Sequence, residues 1–89
     1  MRAREKRNIK IDLYVNGEYH LTLDKGEMTA KQGIAVAEKI ARNYARGNFN
    51  HIMAFVHAGE LAVSHMTAKT ELDRRGIRHI ELSKNIYNL

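Results

Sequence analysis

The stretch IKIDLYVNGEYHLTL, residues 9–23, alternates apolar and polar side chains on both sides of an Asn-Gly pair. The apolar parity comprises Ile9, Ile11, Leu13, Val15, Tyr19, Leu21 and Leu23. Such alternation predicts a β-hairpin with one buried face. Asn16-Gly17 is typical of a two-residue type I′ turn, but that turn would place Leu13 opposite His20. Because a one-residue slip turns a whole strand inside out, we predict a three-residue loop over 15–17 that sets Leu13 opposite Tyr19.

The segment after this hairpin predicts an amphipathic helix near residues 29–46. Thr29 and Gln32 have the spacing of an N-terminal capping box. Apolar residues then recur at helical spacing: Ala30, Ile34, Ala37, Ile40, Ala41 and Tyr44. Arg46 followed by Gly47 suits a helix C-terminus, and Gly33 within the helix indicates close packing against a neighbour.

The second half of the chain predicts another hairpin, near residues 51–65, and a second helix, near 67–75. We predict a strand with two apolar faces over residues 50–56, and a turn at Ala58-Gly59 that leads to a partner strand over 60–64 and sets Val56 opposite Leu61. The second helix ends at Gly76, and a final short strand over 77–82 follows it. A single helix over 60–75 is the alternative, but its apolar residues scatter around the helical wheel.

An internal similarity relates the two halves, because Met-Thr-Ala-Lys occurs at residues 28–31 and again at 66–69. The expected fold class is therefore α+β, with two ββα-like units in the order β-β-α-β-β-α and a possible final short strand. These units would form one mixed or antiparallel sheet with two helices packed on it. We expect a flexible basic arm over residues 1–8 and a single domain over 9–89.

Composition removes several classes of protein. With 89 residues and no cysteine, the chain has room for one domain and offers no disulfide, thiolate nucleophile or zinc ribbon. Its longest apolar run, Ile52 to Val56, is far shorter than the roughly 20 residues needed to cross a bilayer. We expect a cytoplasmic protein with no membrane partner.

The sequence contains no strong signal for a catalytic or metal site. The five histidines form no His-x-x-x-His pair, and His51 and His57 lie roughly 20 Å apart along one predicted strand. His57 and Glu60 flank a predicted turn and would lie opposite one another, which fits a surface pair as well as an acid–base couple. The carboxylates and serines have no recognised catalytic context, and there is no phosphate-binding glycine loop. We therefore predict no enzyme activity, no catalytic residues, no metal and no cofactor.

Net charge favours an anionic partner. The chain carries a formal charge of +5, concentrated in its first ten residues. The leading hypothesis is a small basic accessory or regulatory protein that binds DNA, RNA or a nucleoprotein mainly through phosphate contacts. Tyr14 would stack on a base. The candidate binding residues are Arg2, Arg4, Lys6, Arg7, Lys10, Tyr14, Lys39, Arg42, Arg46, Arg74, Arg75 and Arg78. The alternative is an interaction module, an inhibitor or adaptor, that binds an acidic protein partner and can form a homodimer.

Overall fold

Five strands and one helix make up the part of the chain that the computed structural model describes, residues 4–47 and 51–89. The elements are β1 (Lys6–Val15), β2 (Glu18–Thr29), α1 (Ala30–Gly47), β3 (His51–Ala58), β4 (Leu61–Leu72) and β5 (Arg78–Ile86). The strands form one sheet in the order β2-β1-β3-β4-β5, and every neighbouring pair is antiparallel. The helix α1 lies on one face of this sheet, mainly against β3 and β4.

The prediction of two ββα-like units with two helices was wrong, because the predicted helix at 67–75 is the second half of β4. From Ser64 to Leu72, β4 pairs with β5, and this long-range pairing satisfies the backbone as a strand. The repeated Met-Thr-Ala-Lys segment has a capping glutamine only in its first copy. There, Thr29 N donates to Gln32 Oε1 at 3.0 Å and Gln32 N donates to Thr29 Oγ1 at 3.2 Å. Thr67 is followed three residues later by Thr70, which cannot complete a capping box.

The first helix is confirmed: it was expected over 29–46 and observed as Ala30–Gly47. Its buried side consists of Ala30, Gly33, Ile34, Ala37, Ala41 and Ala45. The close packing expected at Gly33 is also present, because a Cβ built there would lie 2.8 Å from Ile9 Cδ1 and 2.9 Å from both Ile9 Cγ atoms.

The first hairpin has a different register from the one expected. Val15 pairs with Glu18 across a two-residue turn, in which Asn16 has a φ of 52° and Gly17 a φ of 85°. A β-bulge follows: Tyr14 pairs with Tyr19 and Leu13 with Leu21, so that His20 is the extra residue. The two-residue Asn-Gly turn is therefore present, and the bulge after it brings apolar residues opposite one another. We had predicted a three-residue loop in order to obtain that apolar pairing.

The second hairpin follows the same design. Ala58 pairs with Leu61 across Gly59 and Glu60, and Gly59 has a φ of 64°. A bulge between Val56 and His57 makes Val63 the extra residue. The expected pairing of Val56 with Leu61 was wrong, since Val56 pairs with Ser64.

Both terminal strands are longer than expected. The final strand, expected over 77–82, is β5 and runs from Arg78 to Ile86. The strand β1 begins at Lys6, so that residues 6–8, which we assigned to a flexible arm, pair with the end of β2.

The core lies between α1 and the face of the sheet that α1 covers. The largest fully buried side chains all come from the sheet and are apolar except for one serine: Ile9, Ile11, Leu13, Ile52, Val56, Val63, Met66 and Ser64. Ser64 Oγ donates to the Asn85 carbonyl at 2.7 Å, which satisfies the buried hydroxyl. Most of the buried residues of α1 are small, whereas the largest fully buried side chains belong to the sheet.

Replacing Gly33 with alanine tests this close contact. The added methyl must displace the whole Ile9 side chain, which costs about 1–3 kcal/mol, more than the roughly 1 kcal/mol that alanine gains over glycine in a helix. We expect G33A to unfold at lower urea concentration than the parent. The matched control is G47A, where no atom lies within 4 Å of the added Cβ and stability is unchanged or higher. Equal stability of the two variants would contradict the contact.

Candidate nucleic-acid interface

Alternate residues of the central strands point away from α1 and form a surface that we call the open face. Its central residues are Lys10, Asp12 and Tyr14 of β1, Met53, Phe55 and His57 of β3, and His65, Thr67 and Lys69 of β4. The opposite parity faces α1: Ile9 contacts Gly33, and Thr70 Oγ1 donates to the Ala45 carbonyl. Within the described ranges, α1 is the only element outside the sheet. No second layer of described residues therefore covers the open face.

Five rings cross the open face in a continuous line, which we call the aromatic row: Tyr19, Tyr14, Phe55, His65 and Tyr87. Neighbouring ring centroids are 5.7 Å apart for Tyr19–Tyr14, 5.4 Å for Tyr14–Phe55, 6.1 Å for Phe55–His65 and 5.7 Å for His65–Tyr87. The rings come from four strands and from the segment after β5, so that only the folded sheet brings them together.

The sheet registers explain why these rings meet. Phe55 lies directly opposite His65, and Tyr14 lies diagonally across from Phe55 on the next strand. Tyr87 N donates to the Val63 carbonyl at 3.0 Å, which holds the chain beside β4 after β5 has ended. Tyr19 is 58% exposed, and the other four rings are half-buried.

Hydrogen bonds fix two parts of the aromatic row. His65 Nδ1 lies 3.4 Å from Tyr87 Oη, and the Asn85 amide lies 3.1 Å from His65 Nε2. Tyr19 Oη lies 2.7 Å from Thr22 Oγ1, which in turn donates to Asp12 Oδ1. Rings that are held in place lose less conformational entropy when a ligand stacks on them.

Charged groups flank the aromatic row and are partly compensated. Lys69 Nζ lies 3.0 Å from Glu71 Oε1; this hydrogen bond raises the pKa of Lys69 and lowers that of Glu71. Lys10 pairs across the sheet with Asp24, whose pKa is lowered mainly by the hydrogen bond from Gly26 N. The face is therefore aromatic at its centre and of mixed charge at its margins.

The histidine expected to face Glu60 has a different partner. His57 pairs with Ala62, while its Nε2 lies 3.7 Å from Asp12 Oδ2. The expected placement of His57 opposite Glu60 was wrong, because the turn is one residue later than predicted and contains Glu60 itself.

One possible metal-binding group of described residues escaped the sequence analysis. Glu71, His79 and Glu81 each place a ligand atom within 4.8 Å of the others. Histidine spacing within one strand gave no sign of this group, because it forms only when β4 pairs with β5. The Glu71 carboxylate already forms an ion pair with Lys69. The absence of a metal stays a prediction.

The cations of the first residues lie at one end of the sheet. Lys6 and Arg7 begin β1, and Arg7 lies against Gly59 in the β3–β4 turn. Arg7 Nη2 pairs with Glu5 Oε1 at 3.0 Å, and Arg4 precedes this pair. Arg2 lies outside the described residues.

The remaining predicted cations lie on or near α1 and β5. Arg42, Arg46 and Arg78 line one groove with Thr70, His79 and Ile80, which we call the arginine groove. Lys39 is exposed on α1 outside that groove. Arg74 and Arg75 lie in the β4–β5 turn, where Arg75 Nη2 is 3.9 Å from Asp73 Oδ2.

The predicted cations do not converge on a single surface. Through β3, the C-terminal half of β4 is at the same end of the sheet as the C-terminal end of β1, so Arg78, which pairs with Leu72, is at the opposite end from Lys6. Nine residue steps along β1 correspond to roughly 30 Å, whereas salt screens exposed charges beyond about 8 Å at physiological ionic strength. The cations near Lys6 and those near Arg78 therefore produce separate electrostatic potentials. Among the predicted residues that lie in described strands, Tyr14, Lys10 and Lys6 share the side of the sheet that carries the aromatic row, as their alternation along β1 shows.

No described helix is both long enough and apolar enough to cross a membrane. No protein-family model matches the chain. Searches of curated proteins and of solved structures likewise found no match.

Proposed function

We propose that this protein binds single-stranded nucleic acid, with unpaired bases stacked on the aromatic row. The observation that carries the proposal is the continuous line of five rings on the open face. Every base offers a flat π-face, and stacking on an aromatic side chain contributes about 1–3 kcal/mol per base.

The shape of the open face favours single strands over duplexes. Bases in a duplex already stack on one another and present only their edges in the grooves. The open face offers one exposed ring and four half-buried rings for stacking, and within residues 4–47 and 51–89 no helix projects from it that would enter a groove. We therefore expect binding with little sequence preference.

Phosphate contacts are few in this arrangement. Lys6, Lys10 and Lys69 are the lysines on the side of the sheet that carries the aromatic row. Stacking rather than counterion release then supplies most of the affinity, in contrast to the mainly phosphate-based binding that the composition suggested.

A self-associating module is the second candidate, favoured by the edge strand β5. β5 pairs only with β4 among described residues, and Ile86 and Leu89 near it are 50% and 54% exposed. Ile86 and Leu89 also line a groove of about 190 Å³ against Ile34 and Ala35 of α1. A second copy can pair along this edge and cover these side chains.

Replacing Phe55 with leucine tests base stacking. Leucine keeps apolar bulk but removes the π-face, so that we expect F55L to bind a 12-nucleotide single strand about 5- to 100-fold more weakly. Fluorescence anisotropy with the strand and with its duplex measures both affinities, and the duplex should bind at least tenfold more weakly. The control is Y44L, since Tyr44 lies on α1 against His20. Unchanged binding by F55L, or equal binding of the duplex, would rule out stacking on the aromatic row.

Salt dependence tests the number of phosphate contacts. Three lysines predict a slope of log K against log salt of about −2 for a single strand, and K10Q should reduce its magnitude by about 0.7. The variant K39Q removes the same charge from the opposite side of the molecule and should leave the slope unchanged. A slope steeper than about −5, or equal effects of K10Q and K39Q, would show that binding is not centred on the open face.

Sedimentation tests the second candidate. If β5 pairs with a second copy, the protein sediments as a dimer and I86K restores the monomer, because the ammonium would be buried at the new interface. The same variant leaves single-strand binding intact, since Ile86 shares the parity of Ser64 and Met66, which faces α1. A monomer at all concentrations would eliminate self-association through β5.

A further inference from the structure

Three side chains on the last two strands bring one imidazole and two carboxylates together. They are Glu71 of β4 and His79 and Glu81 of β5, and we call them the β4–β5 cluster. One ligand atom of each side chain lies within 4.8 Å of the other two. In the part of the chain that the structure describes, no other three histidine or acidic side chains converge so closely.

The pairing of β4 with β5 creates this cluster. Glu71 lies directly opposite His79, and Glu81 lies two pairs further along, opposite Lys69. Directly opposed residues, and residues two positions apart on one strand, project from the same side of a sheet. Glu71 shares the parity of His65, so that the cluster is on the side that carries the aromatic row. Six residues of β4 separate it from that row by roughly 20 Å.

The turn that joins the two strands is held in one shape. Asp73 Oδ1 accepts hydrogen bonds from Arg75 N at 2.8 Å and from Ile77 N at 2.9 Å. Asp73 N also donates to the Ile77 carbonyl at 3.0 Å, and Gly76 N donates to the Asp73 carbonyl at 3.0 Å. The backbone that carries the cluster is therefore fixed, and binding of an ion has only side chains to order.

The distances in the cluster suit a small metal ion. In a tetrahedral zinc site with bonds of about 2.1 Å, the ligand atoms lie roughly 3.4 Å apart. His79 Nε2 lies 3.7 Å from Glu81 Oε1, which is close to that value. The three side chains are between 39% and 55% exposed, so that rotation about the bonds of the two glutamates can close the remaining gap.

The cluster already binds a cation, which belongs to the protein itself. Lys69 Nζ lies 3.0 Å from Glu71 Oε1, and Lys69 pairs with Glu81 across the strands. An ammonium group donates only hydrogen bonds, whereas a divalent metal ion carries twice the charge and also accepts the lone pair of an imidazole. Because an exposed ion pair contributes little to stability, a metal ion can displace Lys69 from Glu71.

We propose that the β4–β5 cluster binds one divalent transition-metal ion. One imidazole nitrogen and two carboxylate oxygens favour zinc and its neighbours in the first row, whereas magnesium and calcium prefer oxygen ligands alone. Three protein ligands leave one position of a tetrahedral site to water. Spacing within single strands predicted no metal, but this cluster exists only between two strands. The site does not depend on base stacking.

Calorimetric titration of the full chain with zinc chloride tests the site. We expect one equivalent to bind with half-saturation at about 0.1 mM or below. Nuclear magnetic resonance should show saturable shifts of the backbone amides of Glu71, His79 and Glu81. H79Q and E81Q each remove one ligand and should weaken binding at least about tenfold. The matched control is H20Q, since His20 lies against Tyr44 of α1, and its effect should stay below about twofold.

Lys69 supplies a prediction of opposite sign. K69Q removes the competing ammonium, so that zinc should bind at least about threefold more tightly. K39Q removes the same charge from the exposed side of α1 and should change binding less than about twofold. The melting temperature of each variant without zinc shows that it folds.

Four results would overturn the proposal. They are the absence of saturable shifts at the three amides up to about 1 mM zinc, saturation at the remaining histidines instead, an equal loss in H20Q and H79Q, and equal effects of K69Q and K39Q. Magnesium at about ten times the zinc concentration should not displace zinc. F55L should bind zinc as the parent protein does, so that the outcome is independent of what the open face binds.

Discussion

The small side chains on the buried side of α1 determine which residues each face of the sheet can accommodate. Because Gly33 has no Cβ, the helix backbone lies directly against Ile9, and four alanines continue this close approach along α1. The sheet fills the narrow space with aliphatic residues, and none of the buried hydrophobic residues in the described part of the chain is aromatic. Tyr14, Tyr19, Phe55 and His65 lie instead on the other side of the sheet. The open face is a consequence of how closely the helix packs.

The sequence predicted those elements whose signals are local. The capping box at Thr29 and the helical spacing after it placed α1 correctly, because both depend on residues within a few positions of one another. The second Met-Thr-Ala-Lys segment has the same letters but lies in β4, since β5 pairs with it from a distant part of the sequence. Local similarity carries no information about such a partner. Both hairpins were expected, but their registers were wrong, because a bulge allows the turn rule and the apolar pattern to hold together.

The sequence allowed only single residues of the candidate sites to be predicted, and not the clusters that they form. Alternation along β1 correctly placed Tyr14 on the side opposite Leu13, away from the core. Phe55 and His65 are added to it by the β1–β3 and β3–β4 registers, and Tyr87 by a backbone hydrogen bond beyond the last strand. Arg42 and Arg46 share a helical stripe, but Arg78 joins them only because β5 occupies the sheet edge near the end of α1. A cluster whose residues come from distant strands can be predicted only when the order of the strands in the sheet is known. The internal similarity between the two halves of the chain led to a wrong strand order.

The distribution of charge argues that affinity for nucleic acid, if it resides on the open face, comes from rings rather than from net charge. A formal charge of +5 suggests a phosphate-binding protein, yet the cations occupy separate ends and both sides of the sheet. Exposed charges separated by more than about 8 Å are largely screened from one another at physiological ionic strength. Each group of cations can therefore act only on what lies next to it, and the lysines near the aromatic row are those at the margins of the open face. The position of a side chain in the sheet, more than the net charge of the chain, determines which part of a ligand it can reach.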